Sequence, residues 1–438
     1  MPRFAAVAAV VSGCGSTITL EIASDRPVPA AIDAICVGVA DEALDGGHFG
    51  RLYPIASLPQ TLRVQAGNAD AALAWVRGDR GGVPALYVSA PLDFGSDVTL
   101  DLASCQVGGA GDAAPRGAAV GPTGALLAAS HGQGGTLVVA IGTAGASVID
   151  ATNGALVAHD TPAPPPGTPV SILAADLDGD CDDDIVVITS GAAPLIWQRE
   201  GDEFVATDSI GGAAVAAVAA ADVEHDRDID LVLGGGGNLQ LWLNDGAAHF
   251  THAAAALSAA GRVSAISALA LGDLDGDANA DLVVGQANAP LTAWLGEGGT
   301  FVASDAVVPA IQLDIESLTL ADADGDFDPD LAIAIRGAPM RLLVDRDGRL
   351  EDQSFVRLPQ PAPIAHAIAF GGWDGGCEPD AVIAAEPGAA MLRGSDLGVF
   401  QTDLVAPAAT DVTMVDIDDD GDLDAIMATA EGVIWLAR

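Results

Sequence analysis

Lysine is absent from the 438 residues. All 17 basic residues are Arg, and they face 61 acids, for a formal charge of −44. So anionic a chain excludes nucleic acid and anionic lipid headgroups as partners. It favours cations, either bound metal or a basic partner. Aromatic residues make up only 4% of the chain, with two Tyr, both before residue 90. The seven His are scattered. No H-E-x-x-H, G-x-S-x-G or paired-Cys zinc spacing occurs, so the common hydrolase and zinc signatures are missing. No apolar run approaches the roughly 20 residues of a membrane-spanning helix. A disordered acidic chain is excluded too, because half the residues are apolar and many lie in β-branched runs.

The N-terminus reads MPRFAAVAAVVSGCGS. One Arg, a short apolar run from Phe4 to Val11 and then small residues have the order of a secretory signal. Val11-Ser12-Gly13-Cys14 resembles the lipobox of bacterial lipoproteins, which implies a lipid on Cys14 and an exported, surface-anchored or extracellular chain. Four more cysteines follow, Cys36, Cys105, Cys181 and Cys377. Export permits disulfides. Cys36 and Cys105 lie near the two ends of one β-rich segment and are the best-placed pair. Residues 15–108 alternate short apolar strands with Pro/Gly turns and read as a small β-sandwich.

Beyond it, one pattern recurs. Residues 176–184 read DLDGDCDDD, and DVEHDRDID, DLDGDANAD, DADGDFDPD and DIDDDGDLD begin at 222, 273, 322 and 416. A degraded copy, GWDGGCEPD, begins at 372. The period is near 48 residues, which signals a repeat architecture. An apolar strand enters each loop and a second leaves it, as in Ile185-Val186-Val187-Ile188 or Leu282-Val283-Val284. A third often carries Trp: Trp197, Trp242, Trp294, Trp435. A fourth follows near Phe204, Phe250 or Phe301. Four short strands per repeat fit a propeller blade. One period before residue 176, Leu137 to Gly142 match the second strand, but the preceding loop, AASHGQGGT, has no acid. Seven loops therefore predict seven blades over residues 109–438. The chain ends after the third strand of the last unit, so its outer strand should come from about residues 110–119, closing the ring and removing exposed sheet edges. The fold class expected is all-β, a seven-bladed β-propeller preceded by the small sandwich. Trp at one repeated position suits packing between blades.

Acids at loop positions 1, 3, 5 and 9 offer the hard oxygens that Ca²⁺ takes six to eight at a time. Position 12 is Val187, Leu233, Val284, Ile333 or Met427, with a strand after it, which excludes an EF-hand. The six acidic loops hold 29 of the 61 acids, so without metal their mutual repulsion strains every blade. At tenfold over its dissociation constant each site adds about 1.4 kcal/mol, and five sites about 7 kcal/mol.

The D-x-D-G-D-x-x-x-D loop followed by an apolar strand resembles the FG-GAP/VCBS repeats of integrin α-subunit propellers and of bacterial surface proteins. That resemblance implies a calcium-loaded propeller used for binding or adhesion, without catalysis, with a protein or glycan ligand. It implies about five Ca²⁺ sites, held by Asp176, Asp178, Asp180 and Asp184; Asp222, Glu224, Asp226 and Asp230; Asp273, Asp275, Asp277 and Asp281; Asp322, Asp324, Asp326 and Asp330; and Asp416, Asp418, Asp420 and Asp424. Gly372 and Gly376 replace acids in the sixth loop. A propeller-based lyase or hydrolase acting on polysaccharide is the alternative, because a fold does not fix a function. His225, where Gly is usual, is expected to face solvent. Cys181 and Cys377 fall in non-neighbouring blades and are not expected to pair. Arg77-Gly78-Asp79 reads as a turn between strands.

Overall fold

In the computed structural model the described residues are the strand backbones between Thr17 and Leu102 and the chain from Ala114 to Ala437. Short stretches at 133–134, 153–154, 212–213, 227, 258–262, 278, 325–327, 347, 372, 374–378, 396–397 and 419–422 are excepted. The first part forms two sheets. Thr17–Ser24 lies between Gln60–Gln65 and Val98–Leu102, and Ala34–Ala40 and Leu73–Arg80 are the middle strands of a four-stranded sheet. How these sheets pack, and with it the expected sandwich, lies outside the described residues, as do residues 1–16 with Cys14. The Arg77-Gly78-Asp79 tripeptide is not a turn. It runs within the strand Leu73–Arg80, paired on both sides. The apolar run Leu73-Ala74-Trp75-Val76 just before the tripeptide carried that strand signal.

From Leu126 onward six consecutive four-stranded antiparallel sheets follow in simple up-and-down order, beginning at Leu126, Pro169, Ala217, Ile266, Ile315 and Ala365. The seventh has Ala409–Val415, Asp424–Thr429 and Gly432–Ala437 from the C-terminus, with Ala114–Val120 as its outer strand. Ala437 stands opposite Ala114 and Val433 opposite Val120. The two ends of the repeat region thus share one blade, as expected for a closed ring. The seven first strands touch one another in turn around it, which makes them the innermost.

The second strand of every blade is buried along its whole length. A strand covered on both faces reads as a continuous apolar run, which is why these segments lack alternation. Among the described residues the propeller core divides into seven clusters, one at each seam between neighbouring blades. Trp197, Trp294 and Trp435 are fully buried and fill seams one–two, three–four and seven–one. The expected packing role of these Trp residues holds. Trp242 is only half-buried and stacks on His252 with ring centroids 5.0 Å apart. The single helix among the described residues is one turn, Ser354–Arg357.

Candidate metal centres in the blade loops

Each acidic loop joins the first and second strands of a blade, and its first residues cap its own turn. The Asp176 carboxylate accepts the N–H groups of Gly179 at 2.9 Å and Cys181 at 3.0 Å. Asp273 accepts those of Gly276 at 2.8 Å and Asp277 at 3.1 Å. Position 4 takes the left-handed backbone, with φ +76° at Gly179 and +77° at Gly276, so glycine suits it. In the third loop His225 holds that conformation at φ +59°. Its exposed ring shares a 2.7 Å hydrogen bond with Asn279 of the next loop.

Position 9 does something else. Asp184, Asp230, Asp281, Asp330 and Asp380 are all at most 1% exposed, and each accepts the N–H that ends its blade's third strand. The donors are Arg199, Asn244, Gly296, Asp345 and Gly394, at 2.8–2.9 Å. The second oxygen of the first four accepts the N–H of position 2, from Leu177, Val223, Leu274 and Ala323 at 2.8–3.2 Å. Position 9 is therefore a clasp that ties loop entry, second strand and third strand together. Its retention in the degraded sixth loop, where Gly372 and Gly376 replace acids, follows from this backbone role.

Position 2 is a second feature that acid spacing hid. Leu177, Val223, Leu274, Ala323, Trp373 and Ile417 are all buried, each in the seam between its own blade and the next. The signal was available, since all six residues are apolar. The next blade answers with the turn between its third and fourth strands. Asn244 Nδ2 and the Ala248 N–H donate to the Leu177 carbonyl at 2.7 and 3.1 Å, and the Gly299 N–H to the Val223 carbonyl at 2.9 Å. Gly348 packs on Asp275 and Gly398 on Asp324 so closely that a Cβ there would lie 3.4 and 2.4 Å from the loop. The loops are sockets for the following blade.

Four sets of carboxylates each bring ligand oxygens within 4.8 Å of one another, close enough for one ion: Asp176, Asp178 and Asp180; Asp273, Asp275 and Asp281; Asp322, Asp324 and Asp330; Asp416, Asp418 and Asp424. Asp184 and Asp277 lie outside those sets. Asp326 and Asp420 lie outside the described residues. Asp222, Glu224, Asp226 and Asp230 form no such set among the described residues, and this is the loop with Glu for Asp and His for Gly.

The donor sets fit a hard cation. At position 3 Asp178 spends Oδ2 on Gln198 Nε2 at 3.0 Å, and Asp324 spends Oδ2 on Arg346 and Arg357 at 3.1 and 2.8 Å. Their Oδ1 atoms are buried with no hydrogen-bond partner. A buried acceptor left so is costly unless something positive meets it. The electrostatics agree. Burial, then the Asp178 charge, pushes Asp184 up to about 9. Burial, then the Asp222 and Glu224 charges, pushes Asp230 up to about 7 against its backbone bonds, and Asp281 rises to about 7 in the same way. Burial and the neighbouring Asp178 and Asp182 raise Asp180 to about 7.

Cys181, at φ +72° and fully buried, is disulfide-bonded. The sequence reading had given it no partner. The side chains of the other four cysteines lie outside the described residues, and so does the proposed Cys36–Cys105 pair.

A family model described as an FG-GAP-like repeat matches residues 176–233, 222–284 and 273–333. Each match runs from one acidic loop into the second strand of the next blade. No curated protein matches the sequence. Among solved structures, BBS1N in complex with ARL6DN is similar at 15% identity and a TM-score of 0.48, over 73% of this chain and 94% of that one. An Agrocybe aegerita lectin specific for non-reducing terminal N-acetylglucosamine is similar at 16% identity and a TM-score of 0.47, over 94% and 97%. Residues 176–333 thus carry FG-GAP-like repeats, and they lie within a closed seven-bladed β-propeller.

Proposed function

We propose that this propeller is a calcium-stabilised, exported binding module that performs no catalysis. The observation that carries the proposal is the set of four loop carboxylate groups, each within reach of one ion, with buried and unpartnered position-3 oxygens at Asp178 and Asp324. Calcium supplies charge neutralisation and several oxygen-seeking coordination positions. Asp176, Asp178 and Asp180 would hold it in blade two, and the corresponding groups in blades four, five and seven. The loops are sockets between blades, so an ion there stiffens the ring rather than meeting a substrate. Millimolar extracellular calcium suits that use, and the Cys181 disulfide supports an oxidising compartment. The partner is a protein or glycan with a neutral or cationic face, since a surface of net charge −44 repels anions.

The test is a calcium titration of the chelator-treated full chain, read by calorimetry and thermal melting. Four or five ions per chain with an upward shift in Tm supports the reading. No binding and no shift would leave the carboxylates as solvated turns and reopen catalysis as their use.

A further inference from the structure

The first blade poses a question the other loops do not. Its loop, residues 131–136, carries no acid, yet the end of the third strand of blade two reaches it as in the other blades. The residue that ends the third strand of blade two is Arg199. Its backbone N–H clasps Asp184, as Asn244, Gly296, Asp345 and Gly394 clasp their own position-9 carboxylates. Its side chain turns back into the loop of blade one. Nη1 donates to the Ser130 carbonyl at 2.8 Å and to Ser130 Oγ at 3.1 Å, Nη2 to the Gly135 carbonyl at 3.0 Å, and Nε to the Gly201 carbonyl at 2.6 Å.

Arg199 is 1% exposed, and a buried charge of this kind needs both hydrogen bonds and opposite charge. Both are present. Asp182 and Asp183 are 4% and 0% exposed. A Cβ on Gly132 would stand 2.6 Å from Arg199 Cζ and 2.8 Å from Asp182 Oδ1. The loop is short, with six residues between the paired Ser130 and Leu137 against eight between Ala175 and Asp184, and the guanidinium packs against Gly132 inside it. Asp183 binds the loop from its other side. It accepts from the His131 N–H at 3.0 Å, pairs with His131 Nδ1 at 3.1 Å, and takes the Ser130 hydroxyl on its carbonyl at 2.6 Å.

Asn244 makes the comparison. It stands at the same place in blade three and reaches back to the Leu177 carbonyl of blade two with a neutral amide. A neutral donor suffices where the receiving loop has its own acids. A cation stands where the receiving loop has none.

We propose that Arg199 is a built-in cation that replaces the metal ion in blade one, so that the seam between blades one and two stays closed without calcium. The proposal rests on the calcium reading of the other loops. The test is hydrogen exchange on the full chain, in calcium and after chelation, followed by mass spectrometry. In the unmodified protein, chelation should unprotect Asp281–Gln286 of blade four and leave Leu126–Ser130 and Leu137–Gly142 of blade one protected. Arg199→Gln should speed exchange in both blade-one strands by about tenfold or more in calcium and chelator alike. Arg199→Lys, which keeps the charge but not the planar fork, should recover part of it. Equal loss in blades one and four of the unmodified protein on chelation would overturn the proposal, as would unchanged protection in Arg199→Gln. No loss at blade four would refute the calcium reading instead, while the Arg199→Gln comparison in calcium still decides the role of Arg199. The arm on unmodified protein stands even where the variants do not fold.

Discussion

Asp380 separates the two duties of the acidic loops. It sits in the degraded sixth loop, is 1% exposed, and accepts the Gly394 N–H at 2.8 Å. Truncation in Asp380→Ala removes a hydrogen bond to a charged acceptor and strands a partly buried N–H, a loss of about 2–3 kcal/mol. For a propeller of this size that corresponds to a fall in Tm of roughly 3–4 °C. Because the bond is to backbone, the fall should be the same in millimolar calcium and in chelator. The control is Asp275→Asn in the fourth loop. Asp275 is exposed and belongs to one of the ion-sized groups, and burial with the Asp277 charge raises its pKa. Asp275→Asn should lower Tm in calcium, because a charged ligand is lost, and leave it unchanged or higher in chelator, because repulsion is relieved. The assay is thermal melting of the three proteins under both conditions. If the Asp380→Ala loss disappears in chelator, the sixth loop is a metal site and the clasp argument fails. If Asp380→Ala melts like the unmodified protein, position 9 does not hold the blade together at all.

Three further outcomes follow from the same geometry. The metal-free protein should gain stability as pH falls from 9 towards 5. Asp184, Asp230 and Asp281 have folded pKa values above 3.8, so their contribution is fully present below that value and is lost as pH rises through about 7 and then about 9. Melting in chelator at pH 5, 7 and 9 checks this, and in calcium the trend should flatten because protons and the ion compete at Asp281, the one of the three that belongs to an ion-sized group. Trp435→Ala should cost about 3–5 kcal/mol in urea denaturation, with or without calcium, because Trp435 is fully buried in the seam that closes the ring. Arg357→Gln should enlarge the calcium-dependent rise in Tm, because the buried Arg357 guanidinium already neutralises Asp324 at 2.8 Å and opposes a second cation there.

Much of this molecule was legible in its residues because the repeat writes the same sentence six times. Acids near every 48th residue set the blade count, and unbroken runs such as Ile185 to Ile188 marked strands buried on both faces. A final unit one strand short placed its outer strand at about residues 110–119, and Ala114–Val120 fills that place. What acid spacing concealed was the division of labour inside each loop. Positions 1 and 3 gather into every ion-sized group, whereas position 9 ties down backbone amides and joins the group only through Asp281, Asp330 and Asp424. Composition treats both as Asp. Only register separates them, because the partners of Asp184 are amides 7 residues before it and 15 after it. The third loop shows the limit in another way. Its spacing is intact, but Glu224 lengthens one arm and His225 takes the glycine conformation, and its acids do not come together as an ion-sized set among the described residues. Arg199 was invisible for a different reason. Its partners on Ser130 and Gly135 lie 69 and 64 residues away in a loop that had lost every acid. Its meaning appears only when blade one is set beside blade two. The common physical requirement is positive charge or a donor at each socket between blades. The chain meets it with an arginine in blade one and an amide from Asn244 at the socket of blade two. In the carboxylate loops of blades two, four, five and seven it meets it with oxygens arranged for a cation.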